Sequence, residues 1–294
     1  MSWIVFTIFA ALMQSVRTAG QKAMGSTFSP MANTCVRFLF GLPVAVLYFL
    51  FLRLVNSSTF LNFSSEFFIY ALLAGISQVF GTVLQVRLLG LRNFATGTVF
   101  VKSEVMLTAF IGFTFFDDVL GLRSWMGILL CTMGIVFLTL GSHKVFQWKN
   151  LSGPSVLMGV GAGLGFSLAA LFIRRASLSL NAGFMLSAAT CLVGVVALQT
   201  IIMVLYLILF EPNQWKIIFS KSRQSVFIGI TSIFGSIGWF TAMTLIQASF
   251  VRALGQVEVI FALIITYGFF KEKPRQFEWI GILGVTLGIF LTIL

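Results

Sequence analysis

A chain of 294 residues that is 59% hydrophobic and only 9% charged cannot cover the surface of a soluble protein with water-binding groups. Its mean hydropathy of +1.03 indicates instead a single membrane domain whose outer surface faces lipid. The net charge of +11 does not indicate a nucleic-acid partner, because the cations lie singly in short loops without an aromatic and basic groove.

Ten apolar segments follow one another along the chain, each near the length of about 20 residues that a membrane-spanning helix needs. Turn-forming and charged residues separate them, and the connections are short. The first segment is expected to remain as a helix, because it lacks the basic start and the small-residue cleavage site of a signal peptide. The predicted segments are residues 2–21, 31–52, 66–86, 94–116, 121–141, 154–173, 183–210, 225–247, 250–270 and 276–294.

The three cysteines, Cys35, Cys131 and Cys191, all lie inside these apolar segments. Their placement predicts small buried side chains rather than a disulfide framework or a metal site. The sequence contains no ATP-binding P-loop, so we expect no cofactor and an ion or substrate gradient as the source of energy.

An internal repeat joins the two halves of the chain. Residues 98–140 align without a gap onto residues 252–294, and thirteen of the 43 aligned positions are identical. We therefore predict a first five-helix repeat at residues 1–150 and a second at residues 151–294. Five is an odd number, so the second repeat should cross the bilayer in the opposite orientation, as in many secondary transporters that work by alternating access.

The loop charges predict an orientation in the membrane. Loops after odd-numbered segments hold 11 lysines and arginines, whereas loops after even-numbered segments hold five, among them Arg174 and Arg175. The positive-inside rule then predicts that the odd-numbered loops are cytoplasmic and that both termini lie outside.

Glycines crowd the sixth and tenth segments. Small residues at these spacings allow helices to approach closely in lipid, where hydrophobicity cannot drive helices together. We expect close helix packing at Gly159, Gly161, Gly163, Gly165, Gly281, Gly284 and Gly288.

A duplicated hairpin joins the fourth segment to the fifth and the ninth segment to the tenth. From the end of its first helix, the two copies read FFDDVLGLRSWMGILLCTMGIVFLTL and FFKEKPRQFEWIGILGVTLGIFLTIL. Each copy has an apolar helix, an acid, a short turn and a glycine-rich helix. This pattern resembles the drug/metabolite transporter superfamily, in its ten-helix EamA-type branch. The resemblance covers essentially the whole chain. Asp118 and Glu272 match the acid that follows the fourth and ninth helices of that family.

Two departures from the family pattern stand out. Glu104 and Glu258 lie near the position of a proline often found early in helices four and nine. The usual Gly-Glu pair becomes Asp117-Asp118 in the first half and Lys271-Glu272 in the second. We expect both aspartates to be solvated charges at a helix end. The resemblance implies a bacterial inner-membrane carrier of small metabolites, often amino acids or related compounds, with a cavity between the repeats.

Several charges lie inside predicted segments, where each costs about 2.5–3.5 kcal/mol to insert and so needs a partner or a watery cavity. Arg252, which begins the ninth segment, is expected near the membrane interface. The interior charges are Arg17, Arg37, Lys102, Glu104 and Glu258.

Helical geometry sorts these side chains. Gln14 and Arg17 share one face of the first segment. Lys102 and Glu104 are two residues apart, about 200° around a helix, so they cannot both line one wall.

The repeat alignment separates the acids from the cations. Glu104 and Glu258 occupy the same position in both halves, which fits a structural role, either pairing with an arginine or capping a broken helix, but also proton coupling or substrate contact. The interior cations lie in the first half only, and Lys102 aligns with Gln256. This asymmetry indicates substrate recognition by Arg17, Arg37 and Lys102, with salt bridges from Arg37 to Glu104 and from Arg17 to Glu258 as the alternative.

The cations favour a substrate that carries a carboxylate or phosphate, because arginine binds such groups through two parallel hydrogen bonds. Gln14, Gln85, Trp239 and Gln256 are candidates for polar or aromatic walls of the same site.

The function predicted from the sequence is a secondary transporter of a small amphoteric or anionic metabolite, of the amino-acid or organic-acid type. Its partners would be that substrate, membrane lipid and protons as a coupling ion, and a homodimer is left open. The alternative is a flippase for lipids or lipid-linked sugars. An enzyme is not expected, because no paired intramembrane acids or Ser–His couple is present.

Overall fold

A computed structural model describes residues 1–24, 27–56, 59–89, 100–142, 154–261, 264 and 276–293. Within these ranges every regular element is a helix, and no strand occurs. The helices are α1 (Ser2–Met24), α2 (Pro30–Leu39), α3 (Leu42–Val55), α4 (Ser65–Leu89), α5 (Glu104–Phe115), α6 (Leu122–Ser142), α7 (Pro154–Ser179), α8 (Phe184–Phe210), α9 (Gln214–Ser220), α10 (Ser222–Leu245), α11 (Ala248–Leu254) and α12 (Gln276–Ile293).

The predicted all-helical membrane fold is confirmed. The described residues contain six helical spans that are long and apolar enough to cross a bilayer, one of which comprises α2 and α3 together. Shorter apolar helices lie within α5, α6 and α12. Large apolar side chains such as Phe51, Phe113 and Phe290 are more than half exposed, which suits a surface that lipid covers. The six long spans are Ser2–Gln21, Pro30–Val55, Ser65–Leu88, Pro154–Ser179, Phe184–Phe210 and Ser222–Leu245.

The second predicted segment, residues 31–52, is not one continuous helix. It breaks at Phe40 and Gly41 into α2 and α3. Pro43 has no backbone N–H and its ring clashes with the preceding turn, so a helix tolerates it only near a start, where α3 places it.

The fourth and ninth segments are also interrupted, in each case just before the shared acid. A two-residue turn at Lys102 and Ser103 precedes Glu104, the first residue of α5. In the second half α11 ends at Leu254, a turn follows at residues 255–256, and the chain is helical again before Glu258. Residues 94–99, 262–263, 265–275 and 143–150, with Glu272 among them, lie outside the described residues.

The sixth segment extends further than predicted. Arg174 was expected in a loop but lies inside α7, where Nη1 donates hydrogen bonds to Met243 O at 2.9 Å and Ile246 O at 2.5 Å. These carbonyls belong to the last turn of α10 and the residue after it, which have no partner within the helix. Arg174 therefore completes the end of α10, a role that local hydropathy does not reveal.

The chain forms two compact units. Unit 1 comprises Met1–Val79 and Ala169–Ile246, and unit 2 comprises Phe80–Leu168 and Gln247–Leu294. Each unit contains residues from both predicted repeats, so the repeat boundary at residue 150 does not coincide with a unit boundary. The repeat boundary stays a prediction.

Unit 1 is organised around α10. This helix packs along α1 and also contacts α2, α3 and α8. Gly238 lets α10 approach α1 closely, because a Cβ atom there would stand 2.6 Å from Phe6 O. Elsewhere in the unit, Leu52, Leu186 and Ala189 form a buried apolar cluster.

Unit 2 is built on the packing of α6 against α12, the second helices of the duplicated hairpins. A Cβ atom on Gly134 would stand 2.5 Å from Val285 N, and one on Gly284 would stand 3.0 Å from Gly134 Cα. The close packing expected at Gly284 is thus confirmed, and it depends on glycines from both helices.

The turn between α5 and α6 corrects the prediction for the two aspartates. Asp117 is exposed and has a left-handed backbone, with φ of 56°, but Asp118 is buried, with 5% of its surface exposed. The left-handed residue turns the chain so that Asp118 N donates to Gly112 O at 3.1 Å. Glycine would adopt the same positive φ without steric cost.

Candidate functional site

The residues predicted for the site fall into two groups, one in each compact unit. Gln14, Arg17, Arg37 and Trp239 belong to unit 1. The members in unit 2 are Gln85, Lys102, Glu104, Gln256 and Glu258. Each group is described by itself.

Arg37 is buried at the last turn of α2 and is held in one orientation. Its Nε donates a 2.8 Å hydrogen bond to Ser232 Oγ on α10, and its guanidinium lies 5.1 Å from the centre of the Phe38 ring. The side chain is 6% exposed. A hydrogen bond to one edge and an aromatic ring beside it fix the plane of the guanidinium.

Gln14 and Trp239 form the second polar contact of unit 1. Trp239 Nε1 donates to Gln14 Oε1 at 3.0 Å, which joins α10 to α1. Arg17 lies one turn further along the same face of α1 and is 6% exposed. On this shared face Arg17 is buried and Gln14 is half-buried.

A reciprocal pair fixes the end of α1 against α2. Gln21 Nε2 donates to Asn33 O at 3.3 Å, and Asn33 Nδ2 donates to Gln21 O at 3.1 Å. Both side chains are buried. Arg17 and Arg37 thus lie on helices that side-chain-to-backbone hydrogen bonds hold together.

Two ion pairs dominate the group in unit 2. Lys102 Nζ lies 3.5 Å from Glu258 Oε2, and Arg252 Nη1 lies 3.6 Å from Glu104 Oε2. Each acid pairs with a cation from the other half of the chain. We call them the crossed ion pairs. They join the interrupted fourth and ninth segments at the two turns.

These pairs bear on three expectations. Glu104 pairs with Arg252, and Glu258 pairs with Lys102, two pairings that the sequence analysis did not name. Arg252 is not interfacial, because it lies in the last turn of α11 and is 7% exposed. The second half therefore does contribute a buried cation. The proposed structural role of the two acids is the one that the geometry favours for Glu104.

The turns in unit 2 are packed tightly. A Cβ atom on Gly163 of α7 would stand 2.7 Å from Ser103 Oγ and 2.9 Å from Val101 O. The glycine therefore allows the interrupted backbone beside Lys102 to lie directly against α7. This contact explains why a glycine is needed at position 163, which the spacing of glycines along α7 does not explain by itself.

Gln256 and Gln85 have different surroundings. Gln256 is 2% exposed, and its Nε2 donates to Arg252 O at 3.2 Å. Its buried Oε1 accepts no hydrogen bond from the residues that the structure describes. Gln85 is half-buried on α4. Gln256 thus lies at the crossed ion pairs with an acceptor atom still available.

The sequence analysis did not identify Arg252 or Ser232 as members of these groups. Arg252 lies in an apolar stretch of the sequence. A helix that begins at Ala248 puts Arg252 more than one turn inside that helix, away from the membrane interface. Ser232 carries no signal of its own, because serines inside apolar helices commonly bond to their own backbone.

Comparison with known proteins identifies the family. The model of the EamA-like transporter family matches residues 1–140 and again residues 153–294. The chain belongs to the EamA-like transporter family. Two matches in succession confirm that this EamA-like chain is built from two repeats of one unit.

A solved structure shares the fold of this EamA-like transporter. It is a crystal structure of a protein whose description states no activity, with a TM-score of 0.74 and 16% sequence identity over 99% of this chain and 95% of the other. At that identity the likeness concerns the fold alone. No curated protein matches the chain. The protein is thus a multi-pass membrane transporter.

Proposed function

We propose that this transporter carries a small amphoteric or anionic metabolite, of the amino-acid or organic-acid type, across the bacterial inner membrane by alternating access. The buried positive charge of unit 1 is the observation that carries the proposal. Arg17 and Arg37 are each 6% exposed.

A charged group inside a membrane is costly and is typical of a functional site. A guanidinium binds a carboxylate through two parallel hydrogen bonds, which gives geometric selectivity as well as energy. A cationic substrate would be repelled by the same two groups. The charge distribution of unit 1 therefore favours a substrate with a carboxylate.

The contacts of Arg37 support a recognition role. Ser232 and the Phe38 ring hold its guanidinium plane, so binding would cost little further ordering of that side chain. An ordered donor pair can then distinguish a planar carboxylate from groups of other shapes.

Uptake into proteoliposomes tests the proposal. The probes are radiolabelled L-alanine, L-glutamate, lactate and succinate, each offered singly. Radiolabelled choline is the cationic comparison. We expect uptake of at least one anionic or zwitterionic probe and none of choline. Arg37→Gln should lower uptake of that probe about ten-fold or more, since a hydrogen bond to a charged group contributes about 1.5–3 kcal/mol.

Arg53→Gln is the matched control. Arg53 lies in the last turn of α3 and donates to Thr59 O in the following connection, so its loss should leave uptake unchanged. Wild-type uptake by both Arg17→Gln and Arg37→Gln, or transport of choline in preference to every acid, would contradict the proposal.

A further inference from the structure

A cavity of about 350 Å³ lies in unit 1, between the end of α1 and the start of α10. Its volume is within the range of about 300–1,000 Å³ that is typical of small-molecule sites. Because glycine has no side chain, position 20 leaves this space unfilled, and a Cβ atom there would stand 3.4 Å from Phe227 Cε1. The lining residues are Gly20, Met24, Arg223, Gln224, Phe227 and Ile228.

The cavity is polar at one end and apolar at the other. Arg223 and Gln224 lie in the first turn of α10, at the mouth of the cavity. Phe227 and Ile228 follow four residues later on the same faces of the helix, so they line the part beneath the two polar side chains. A guanidinium above an apolar cleft suits an amphiphile, with its charged head at the mouth and its chain inside.

The surroundings place the mouth of the cavity at the membrane interface. Trp215 stacks on Phe219 in α9, with ring centroids 6.1 Å apart. Ser225 Oγ donates to Ile218 O at 3.1 Å, which joins α9 to the first turns of α10. Tryptophan and other aromatic residues at the ends of spanning helices mark the depth of the lipid headgroups. Phe227, one turn further into α10, is 50% exposed and faces the lipid chains.

Positive charge surrounds the same mouth. Residues 211–224 contain three exposed cations and one acid, Glu211, which accepts a hydrogen bond from the serine that caps α2. Among the described residues that line the cavity none is acidic. An anionic headgroup is therefore favoured over a zwitterionic one, whose own cation would be repelled. The three cations are Lys216, Lys221 and Arg223.

We propose that one anionic phospholipid binds in this cavity as a resident lipid, with its phosphate on Arg223 and an acyl chain between Gly20 and Phe227. Arginine binds phosphate through two parallel hydrogen bonds, and the Gln224 amide can donate to a further headgroup oxygen. The loop charges predict that this end is cytoplasmic, and the anionic lipids of that leaflet attract basic segments. The lipid is not the cargo, and its binding does not depend on what is transported.

The apolar lining distinguishes a phospholipid from a free anion. A free phosphate would occupy the mouth alone and leave Met24, Phe227 and Ile228 without a partner of matching chemistry. An acyl chain would cover these side chains and would also contact both α1 and α10. A bound lipid should therefore stabilise the packing of these two helices, because it binds the folded protein.

Native mass spectrometry of the full chain in detergent tests the proposal. The probes are dioleoylphosphatidylglycerol, which is anionic, and dioleoylphosphatidylcholine, which is zwitterionic. We expect the wild type to retain one phosphatidylglycerol at a lower lipid concentration than it needs to retain phosphatidylcholine. Arg223→Gln should weaken binding of phosphatidylglycerol roughly five-fold, since one cation beside an anionic headgroup contributes about this factor.

Arg123→Gln is the matched control. Arg123 is an exposed arginine at the second position of α6, as Arg223 is at the second position of α10, so both variants remove the same charge from the same kind of site. Arg123→Gln should bind phosphatidylglycerol as the wild type does. Because Arg223 is exposed, its replacement should also leave the melting temperature in lipid-free detergent unchanged.

Gly20→Leu tests the chain end of the site without changing any charge. Its side chain would occupy the cavity, so the variant should lose retained phosphatidylglycerol although Arg223 is intact. In the wild type, added phosphatidylglycerol should raise the melting temperature more than glycerophosphoglycerol, the same headgroup without chains. If Gly20→Leu does not fold, the comparison of lipid with chain-free headgroup still tests the acyl chain.

Three results would overturn the proposal. Equal weakening by Arg223→Gln and Arg123→Gln would show a general attraction to the net charge of +11 and no site. Equal affinity for the two phospholipids would remove the role of the anionic headgroup. Equal stabilisation by glycerophosphoglycerol and phosphatidylglycerol would make the mouth of the cavity a site for free anions. Each readout is independent of uptake, so the proposed function can fail while the lipid site stands.

Discussion

Arg252 and Glu104 stand 3.6 Å apart inside unit 2, although they come from different halves of the chain. Neither helix could keep its charge buried without the other, because an isolated charge in this environment lacks both water and a counter-ion. This pair thus holds two interrupted segments together. The acid at the aligned position of the second half, Glu258, is more exposed than Glu104. The two acids therefore have different surroundings although they align in the repeat.

Breaking the ion pair between Arg252 and Glu104 should destabilise the protein. We expect Glu104→Gln and Arg252→Gln each to cost about 3–5 kcal/mol, because each leaves the remaining partner as an uncompensated buried charge. Thermal unfolding in detergent, followed by fluorescence or circular dichroism, measures the change. The double variant Glu104→Gln/Arg252→Gln should recover at least half of the loss, since it removes both charges. Losses that simply add in the double variant would show that the two residues do not interact.

Gly163 should tolerate no side chain. In Gly163→Ala the new Cβ atom would stand 2.9 Å from Val101 O, so α7 and the turn at Lys102 must separate. Such overpacking costs about 1–3 kcal/mol and should also lower uptake, because it moves Lys102. Thermal stability and proteoliposome uptake of one variant measure both effects.

Gly194→Ala is the matched control for Gly163. A Cβ atom on Gly194, in the middle of α8, would meet only the Phe67 ring at 3.7 Å, an ordinary contact. Alanine has the higher helix propensity, so this variant should be unchanged or slightly more stable. Equal stability of the two alanine variants would contradict the steric role of Gly163.

The left-handed backbone at Asp117 gives a third prediction. Asp117→Val should lose about 1–2 kcal/mol, because a β-branched side chain collides with its own backbone at a φ of 56°. Asp117→Gly should be as stable as the wild type, since glycine adopts this conformation freely. Melting temperatures of the two purified variants measure the difference, and a valine variant as stable as the glycine variant would be the contrary result.

The hydrogen bond between Trp239 and Gln14 gives a fourth prediction. Trp239→Phe keeps an aromatic ring but removes the donor, and we expect a loss of about 1 kcal/mol. A double-mutant cycle with Gln14→Leu isolates the coupling between the two side chains. Trp215→Phe is the control, because Trp215 stacks on Phe219 and phenylalanine can keep that contact. A coupling energy of zero would mean that the bond contributes nothing to stability.

The regular features of the fold could be predicted from the sequence, and the interruptions could not. Apolar runs of about 20 residues identify spanning segments whatever their neighbours are. The break between α2 and α3 has a local sign in Pro43, but the turn at Lys102 has none, because it depends on contact with Gly163 of another helix. Likewise Arg174 lies inside α7 rather than in a loop, and its guanidinium donates to carbonyl groups at the end of α10. Local hydropathy does not record such a contact between helices.

The candidate site shows the same division. The polar and charged residues that line the buried groups, such as Arg37, Lys102 and Glu258, were identified by their unusual position in apolar segments. The pairing of Glu104 with Arg252 was not predicted. Arg252, expected near the membrane interface, and Asp118, expected as a solvated charge, are both buried. A count of charges along a segment does not record how deep each one lies or what stands opposite it.

The sequence by itself determined that this chain crosses the membrane many times and contains two copies of one unit, because hydropathy and internal identity are properties of linear order. Only the tertiary structure decided that Glu104 pairs with Arg252 and Glu258 with Lys102. Electrostatic interaction falls with distance in space, and the distance between two helices is set by how their surfaces pack, which depends on glycines and turns far apart in the chain.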